Sequence, residues 1–87
     1  MDEAIYDDLI SGIPLWLMEE YLHQTGARFD GQEWMHPAGW RAQISQAEDY
    51  QIGALRVGRI RLTIRGTAQS IEQAIEALKP SLRRAGG

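Results

Sequence analysis

The sequence predicts an α+β domain in which two helices cover one face of an antiparallel sheet. Apolar residues recur at helical spacing in 15–22 and in 71–78, and they alternate with polar residues in 60–65. Because each predicted helix has one apolar stripe, both should bury it against the sheet, which leaves the other sheet face open. A chain of 87 residues has room for one such unit, so 1–87 is predicted to be a single domain.

The first third of the chain predicts a strand and then a helix. Residues 4–10 carry enough apolar side chains for a short strand, which the pair Ser11-Gly12 ends. Pro14 suits the first turn of a helix because its missing N–H would have no partner there. We therefore expect the first helix to run from about Pro14 to Thr25, with Gly26 just beyond its end.

The middle of the chain predicts strands separated by turns. Gln32–His36 is a candidate strand, and Pro37–Gly39 is a turn because proline and glycine interrupt regular structure. Trp40–Ser45 alternates apolar and polar side chains and is predicted to be a strand. The polar stretch Gln46–Gln51 is predicted to be a loop.

Leu55–Arg65 carries the strongest strand pattern. In its second half, the apolar residues form one face, and arginines with one threonine form the other. Leu55 and Val57 are out of phase with this alternation, and Gly58 lies between the two halves. We therefore expect a bulge or a bend at Gly58.

The last predicted element is a second helix. Ser70 and Gln73 have the spacing of a capping box at its start. Pro80 disfavours a helical conformation at Lys79, so the helix is expected to end or kink there. Residues 83–87 are predicted to form a flexible tail that ends in two glycines.

The composition excludes several kinds of site. The chain has no cysteine, which removes disulfides, thiolate metal sites and cysteine nucleophiles and is typical of a cytoplasmic protein. No apolar run approaches the ~20 residues of a membrane span, and the acidic start Met1-Asp2-Glu3 is unlike a signal peptide. With only His23 and His36 there is no recognisable metal-ligand spacing, so neither a metal, a cofactor nor a catalytic residue is predicted.

The charge of the chain is small but unevenly distributed. The net charge is −3, yet residues 1–33 contain eight acidic side chains and one basic, and residues 34–87 contain four acidic and eight basic. Either an acidic helix lies near a basic sheet within the domain, or two surfaces of opposite sign meet two partners. The first interpretation is the simpler one.

Four arginines are candidate binding residues on the open sheet face. Arg59, Arg61 and Arg65 alternate along one strand, and Arg41 could join them from the neighbouring strand. Guanidinium groups on one face can hold a phosphate, a carboxylate or an acidic protein surface. Nucleic acid is disfavoured, because the net charge is negative and no aromatic residues interleave with these arginines. The alternative is a solvated face whose arginines pair across strands with Glu33, Glu48 or Asp49.

Trp16 on the first helix is a second candidate. It lies opposite the apolar stripe, at helical spacing to Glu19 and His23. An exposed tryptophan can mark a partner surface. The alternative is that the N-terminal segment covers it, for example through Tyr6.

The pair Gly86-Gly87 at the end of the chain is a third candidate. A Gly-Gly end after basic residues is the form of tail that a sulfur carrier or a ubiquitin-like protein presents to an adenylating enzyme. Residues without side chains can thread a narrow channel and expose the terminal carboxylate. The alternative is a frayed end without a function.

Several stretches together resemble one small bacterial family, the uncharacterised C-terminal domain of MoaD-related proteins. The resemblance extends over most of the chain and rests on Ile13–Leu22, Gly39–Ala42, Ile52–Val57, Ile60–Gly66 and the Gly-Gly end. In those proteins the domain follows a β-grasp module similar to the small subunit of molybdopterin synthase. The resemblance implies a TATA-binding-protein-like fold with the order β-α-β-β-β-β-α, and it strengthens the expectation of a first strand near Ile5.

The resemblance also implies a setting in molybdenum-cofactor synthesis or sulfur transfer, and it supplies no catalytic residues. This chain contains no β-grasp module, and in that setting the carrier glycines would belong to the missing module rather than to Gly86-Gly87. A likeness to a DNA-binding saddle does not transfer function. We therefore expect a non-enzymatic binding module with a protein partner, such as a sulfur carrier or a molybdopterin-synthesis component. The alternatives are a carrier acting through the Gly87 carboxylate, a small-anion site on the sheet, and an isologous homodimer that covers the open face.

Overall fold

The computed structural model describes the backbone of residues 3–86 and the side chains of residues 3–83. Within this range the order β-α-β-β-β-β-α and the α+β class are as predicted. None of the described helices is long and apolar enough to cross a membrane. The elements are β1 (Ala4–Ser11), α1 (Leu15–Gln24), β2 (Arg28–Phe29), β3 (Trp34–Met35), β4 (Arg41–Ile52), β5 (Leu55–Gly66) and α2 (Ala68–Gly86).

The strands form one antiparallel sheet in the order β1-β5-β4-β3-β2. β5 pairs with β1 along the whole of β1 and with β4 along almost all of β4. The predicted strand Gln32–His36 is shortened to β3 at Trp34–Met35. The sequence did not predict β2 at Arg28–Phe29, because two residues show no periodicity.

One hydrophobic core lies between the sheet and the two helices. Ile60, Leu62 and Ile64 of β5 are almost fully buried, as their alternation predicts. The helices contribute Met18 and Leu22 from α1 and Ile71, Ala74 and Leu78 from α2 to the same cluster. Because both helices lie on this side, the other side of the sheet carries the exposed residues of the same strands.

α1 begins and ends where the sequence signals place it. Pro14 has an extended conformation, and its carbonyl accepts the N–H groups of Leu17 and Met18. At the other end Gly26 has a φ of +97°, and its N–H donates to the carbonyl of His23. A left-handed residue just past a helix is typically glycine, so Gly26 is the terminator that was expected.

Asp30 fixes the turn between β2 and β3. Its Oδ1 accepts the N–H of Gln32 and the N–H of Glu33, each at 2.8 Å. These two bonds, with the one from Glu33 the larger cause, hold the pKa of the Asp30 carboxyl below its ordinary value of 3.8. Because the folded-state pKa is lowered, the stabilisation is present at neutral pH and is lost as the pH falls through that pKa.

His36 ties the turn before β4 to the end of α1. Its Nε2 lies 2.9 Å from the carbonyl oxygen of Thr25, and its Nδ1 accepts the N–H of Ala38 at 2.9 Å. The imidazole also stacks on Trp40, with 4.7 Å between the ring centroids. Both ring nitrogens are therefore engaged in holding the fold.

β4 continues through the segment that was predicted to be a loop. It runs from Arg41 to Ile52, so the prediction of a loop at Gln46–Gln51 is wrong. These polar residues are extended because they pair with β5, a tertiary contact that a local pattern does not show. The hairpin closes at Gly53-Ala54, where Gly53 has a φ of +58°, the conformation that a type II′ turn requires at its first central position.

The expected bulge is present, but the extra residue lies on β4 and not at Gly58. Glu48 and Asp49 of β4 together face Gly58 of β5. The carbonyl of Gly58 instead accepts the N–H of Gly12 at 2.9 Å. One consequence is that the alternation of β4 is shifted by one residue beyond the bulge.

The start of α2 differs from the prediction. The side chain of Thr67 accepts the N–H of Ser70 at 3.1 Å, so Thr67 caps the helix and the capping box predicted at Ser70 is wrong. Ser70 cannot serve as the cap because it is buried in the first turn, where its hydroxyl donates to the carbonyl of Thr67 at 3.0 Å.

α2 also continues past its predicted end. Pro80 lies inside the helix, which extends to Gly86, so the helix does not end at Lys79. The alternative, a kink at this position, stays a prediction. Leu82 packs against the core on the far side of Pro80, and this burial offsets the backbone hydrogen bond that proline removes. The backbone of 83–86 thus belongs to α2, and Gly87 lies outside the described residues. The flexibility expected for 83–87 stays a prediction.

Candidate functional site

The open face is the side of the sheet turned away from both helices. Successive residues of a strand point to opposite faces, and directly paired residues share a face. Since Ile60, Leu62 and Ile64 are buried under the helices, the residues between them belong to the open face, and the strand register extends it to β1 and β4. We define the open face by Ile5, Asp7, Leu9, Ser11, Arg41, Gln43, Ser45, Ala47, Arg59, Arg61, Thr63 and Arg65. Most of these side chains are exposed.

The four arginines predicted as binding residues lie together on this face. Arg41 is directly opposite Arg65 on the neighbouring strand, and Arg61 and Arg59 follow along β5 toward the hairpin. Like charges directly opposite each other on a sheet repel. Carboxylates, from this chain or from a partner, would relieve this repulsion.

Carboxylates from the acidic first third of the chain neutralise two of the arginines. Arg61 Nη1 lies 2.7 Å from Asp7 Oδ2. Arg41 forms an ion pair with Glu3, and its Nη1 lies 3.9 Å from Glu33 Oε2. Pairs that are this exposed contribute about 0–1 kcal/mol each to stability. The main effect of these ion pairs is to lower the positive charge of the open face, and their contribution to the stability of the fold is small.

These ion pairs show how the acidic first third of the chain and the basic remainder meet within the domain. The alternative of a cross-strand partner is confirmed for Glu33, while Glu48 and Asp49 form no ion pair with a described residue. The acidic groups that meet the sheet come from β1 and its start and from the turn before β3. The interpretation of charge complementarity within the domain is therefore supported, and α1 does pack on the sheet, where Glu19 lines one groove with Arg56. The carboxylates that pair with Arg41 and Arg61 do not come from α1, however, because α1 lies on the opposite side of the sheet.

Arg59 and Arg65 form no ion pair with any described carboxylate. Arg59 is instead held by its surroundings in the protein. Its Nε donates to the carbonyl of Glu48 at 2.9 Å, and its Cζ lies 5.6 Å from the centroid of the Tyr50 ring. A guanidinium held in this way is oriented in advance for a carboxylate from outside.

The end of the β4–β5 hairpin extends the open face, and the sequence reasoning missed it. We call residues 48–57 the hairpin arm, and we call its four apolar side chains Tyr50, Ile52, Leu55 and Val57 the arm quartet. Tyr50 pairs with Val57 and Ile52 pairs with Leu55, so the quartet shares one side of the arm, which is the side of Arg59. Three of its members are 48%, 56% and 62% exposed. The alternation of Tyr50 and Ile52 was the available signal, but it fell in the segment taken for a loop.

Trp16 lies on the helix side of the sheet, away from the arginines. It is 67% exposed, so the alternative that Tyr6 covers it is wrong. The hydroxyl of Tyr6 instead donates to Asp8 at 3.1 Å. Trp16 lines an open groove of about 800 Å³ between the start of α1 and the base of the hairpin arm, with Arg56 and Gln46 on the opposite wall. The two surfaces predicted from the sequence are therefore separate.

The histidines and carboxylates are dispersed over the described part of the chain. No group of three or more His, Cys, Asp or Glu side chains there is close enough to hold a metal ion. His23 is exposed on α1, and His36 is engaged at both ring nitrogens.

Comparison with known protein families relates nearly the whole chain to one of them. A family model described as archaeal MoaD-like protein matches residues 7–87. The chain belongs to the archaeal MoaD-like family. No curated protein matches it.

Membership of the archaeal MoaD-like family confirms the relationship to MoaD-related proteins that the sequence suggested. The matching family is described as archaeal, whereas the resemblance pointed to bacterial proteins. The Gly-Gly end lies within the matched range, with Gly86 as the last residue of α2 and Gly87 outside the described residues. The narrower assignment, to a domain that follows a β-grasp module, stays a prediction.

Proposed function

We propose that this MoaD-like chain is a non-enzymatic binding module whose open face holds an acidic surface of a protein partner. The observation that carries the proposal is the pair Arg59 and Arg65, which no described carboxylate neutralises. They lie on a sheet face whose side chains are mostly exposed. Carboxylates of a partner would relieve the repulsion among the guanidinium groups and would form charge-assisted hydrogen bonds with them.

The remaining side chains of the open face support a protein rather than a small molecule. Ile5 and Leu9 are exposed on β1 opposite Arg65 and Arg61, and Met35 is exposed on β3 opposite Arg41. Arginine, methionine and aromatic residues are enriched at protein interfaces. A surface that mixes them suits a partner that buries apolar area and supplies acidic groups around it.

The family supports the kind of partner. The chain belongs to the archaeal MoaD-like family, and its resemblance to MoaD-related proteins implies a setting in molybdenum-cofactor synthesis or sulfur transfer. The partner we propose is therefore a sulfur carrier or another molybdopterin-synthesis component. Electrostatic complementarity would raise the rate of encounter and fix the orientation of the two proteins.

We expect the double variant Arg59→Ser, Arg65→Ser to bind this partner about tenfold more weakly or worse, since it removes the two charges that no described carboxylate neutralises. Isothermal titration calorimetry against the purified sulfur carrier and molybdopterin synthase subunits of the same organism measures the affinity. The free energy of unfolding should change by less than about 1 kcal/mol, because both side chains lie at the surface.

A matched control removes two charges from the helix side. Lys79→Ser with Arg83→Ser changes exposed residues of α2 and should leave the affinity as it is. Trp16→Ala decides between the two surfaces. A loss of affinity in Trp16→Ala, with none in the arginine variant, would move the contact to the groove and contradict the proposal. If none of the candidate proteins binds the wild type, the proposed pathway is wrong.

A carrier acting through Gly87 is the second candidate, and the family match that includes Gly86-Gly87 favours it. Under this alternative the Gly87 carboxylate displaces pyrophosphate from ATP and forms an acyl-adenylate. A sulfide-level sulfur donor then displaces AMP, which leaves with one carboxylate oxygen, and a thiocarboxylate remains. The helical backbone up to Gly86 counts against it, because a tail that threads a channel must be extended. We expect an unmodified end in the intact mass of the protein purified from its own source. A mass increase corresponding to sulfur-for-oxygen exchange at Gly87 would put the carrier first.

A small-anion site on the sheet has less support. Arg41 and Arg61 already hold carboxylates of this chain, so an inorganic anion would have to displace Glu3, Glu33 or Asp7. Thermal stabilisation by phosphate that disappears in the arginine variant would favour this alternative.

A further inference from the structure

The hairpin arm is the part of the sheet with the fewest neighbouring strands. β1 ends opposite Arg59, and β3 pairs with β4 only at Arg41 and Ala42, so residues 48–57 form a two-stranded ribbon. A ribbon of two strands is marginally stable in water unless another surface packs against it. The arm quartet is not part of the core under the helices. Tyr50, Ile52 and Leu55 are exposed, and only the half-buried Val57 lies beside α1, where it lines the groove of Trp16.

The two sides of the arm differ in chemistry. The arm quartet makes one side apolar, and the directly paired residues Gln51 and Arg56 lie on the other side. The bulge produces this arrangement, because without the extra residue at Glu48 and Asp49 Tyr50 would pair with Arg56 and point to the helix side. The four apolar side chains lie on the side of the arginines only because of the bulge. We therefore regard their common orientation as a feature of the fold and not as the chance exposure of single residues.

Arg59 determines the charge beside the arm quartet. Its guanidinium lies against the Tyr50 ring and has no described carboxylate as a partner. An apolar group that docks on the quartet therefore comes to lie next to an unneutralised positive charge. A carboxylate adjacent to that apolar group would satisfy the charge at the moment of docking.

A second copy of this chain suits the arm less well. Packing quartet on quartet would bring Arg59 of both copies into one interface, where the two like charges repel. The four side chains also offer well under the ~800 Å² per partner that a stable interface buries. A partner that continues from the arm onto the arginines of the open face gains both area and charge complementarity.

We propose that the arm quartet is the apolar anchor site of the open face, and that its occupant is a partner segment that directs an aliphatic side chain and a neighbouring carboxylate to the same side. The aliphatic chain packs against Tyr50, Ile52 and Leu55, and the carboxylate pairs with Arg59. This inference rests on the proposed function and specifies the chemistry of its partner.

A titration with synthetic peptides, followed by NMR of the isotope-labelled protein, tests it. The probe repeats leucine, serine, aspartate and serine, so that in an extended conformation leucine and aspartate share one side. One control peptide has serine for leucine and keeps the charge, and the other has asparagine for aspartate and keeps the apolar side. We expect the probe to shift the resonances of residues 50–59 and to bind about tenfold more tightly than either control.

Two double variants place the contact on one side of the arm. Ile52→Ser with Leu55→Ser should reduce the affinity for the probe about tenfold, to the level of the leucine-free peptide. Gln51→Ser with Arg56→Ser changes the adjacent cross-strand pair on the opposite side and should leave the affinity unchanged. All four side chains are exposed, and the amide spectrum shows directly whether each variant keeps the fold.

The outcomes separate this inference from the proposed function. Equal binding of the probe and the leucine-free peptide, with shifts confined to the arginines, would overturn the anchor site and leave the acidic partner in place. Absence of shifts in the arm with every peptide would also overturn the anchor site. The calorimetry with the arginine variant would then decide the proposed function by itself. Shifts in the arm that follow the protein concentration alone would make a second copy the occupant and would overturn it as well.

Discussion

Replacing Trp40 by alanine is expected to lower the free energy of unfolding by about 3–5 kcal/mol, the range for deleting a buried aromatic side chain. Trp40 is 1% exposed and joins the turn after β3 to the start of β4. It also supports the imidazole of His36, which binds the backbone at the end of α1. A chain of this size has a total free energy of unfolding of roughly 4–13 kcal/mol, so the variant should lose a large part of it and be only marginally stable.

Urea denaturation followed by far-ultraviolet circular dichroism measures the difference. The chain provides a matched control in Trp16, the same residue type at 67% exposure. Trp16→Ala should change the free energy of unfolding by about 0.5 kcal/mol or less. Similar losses in the two variants would show that burial of Trp40 is not what stabilises this corner of the fold.

Replacing Gly66 by alanine is expected to cost about 2–5 kcal/mol, from backbone strain and overpacking together. Gly66 ends β5 with a φ of +153°, which L-residues with side chains rarely adopt. A Cβ there would lie 2.5 Å from Ser70 Oγ, 3.1 Å from the carbonyl oxygen of Gly39 and 3.2 Å from Trp40 Cα. The hydroxyl could rotate away, but the two backbone atoms can move only if the turn before β4 moves.

Gly58→Ala is the control for this variant on the same strand. A Cβ at Gly58 would meet no atom within 4 Å, and its φ lies outside the left-handed region. The change should be neutral or should stabilise the fold by up to about 1 kcal/mol, because alanine restricts the unfolded chain. Thermal unfolding of both variants gives the comparison. If Gly66→Ala melts no lower than Gly58→Ala, the close approach at Gly66 is not the reason for glycine at that position.

The fold was predictable where a periodic pattern and a terminating residue agree. α1 has both an apolar stripe and Gly26, and the second half of β5 alternates without interruption. Prediction failed where a distant part of the chain decides the conformation. Gln46–Gln51 is extended only because β5 lies beside it, and Pro80 stays helical in a segment where Leu82 still reaches the core.

The candidate site was predictable to a similar extent. The alternation of Arg59, Arg61 and Arg65 placed them on one face, and the strand register adds Arg41. The arm quartet was not predicted because its members lie on both sides of a turn and acquire a common side through the bulge. A pattern read along one strand does not show which residues of the next strand lie opposite.

The bulge at Glu48 and Asp49 has a further consequence, for the behaviour of the protein at high concentration. Among the described residues, the outer edge of β4 has no neighbouring strand beyond Ala42. Such an edge can pair with strands of other molecules and start an aggregate. Here two adjacent carboxylates lie in the middle of the edge, and the bulge in the ladder with β5 bends the strand at the same place. The β4 edge of a second molecule would therefore meet like charges and a bent strand at that point. The irregularity that directs the apolar side of the arm toward the arginines therefore also protects the sheet from growing between molecules.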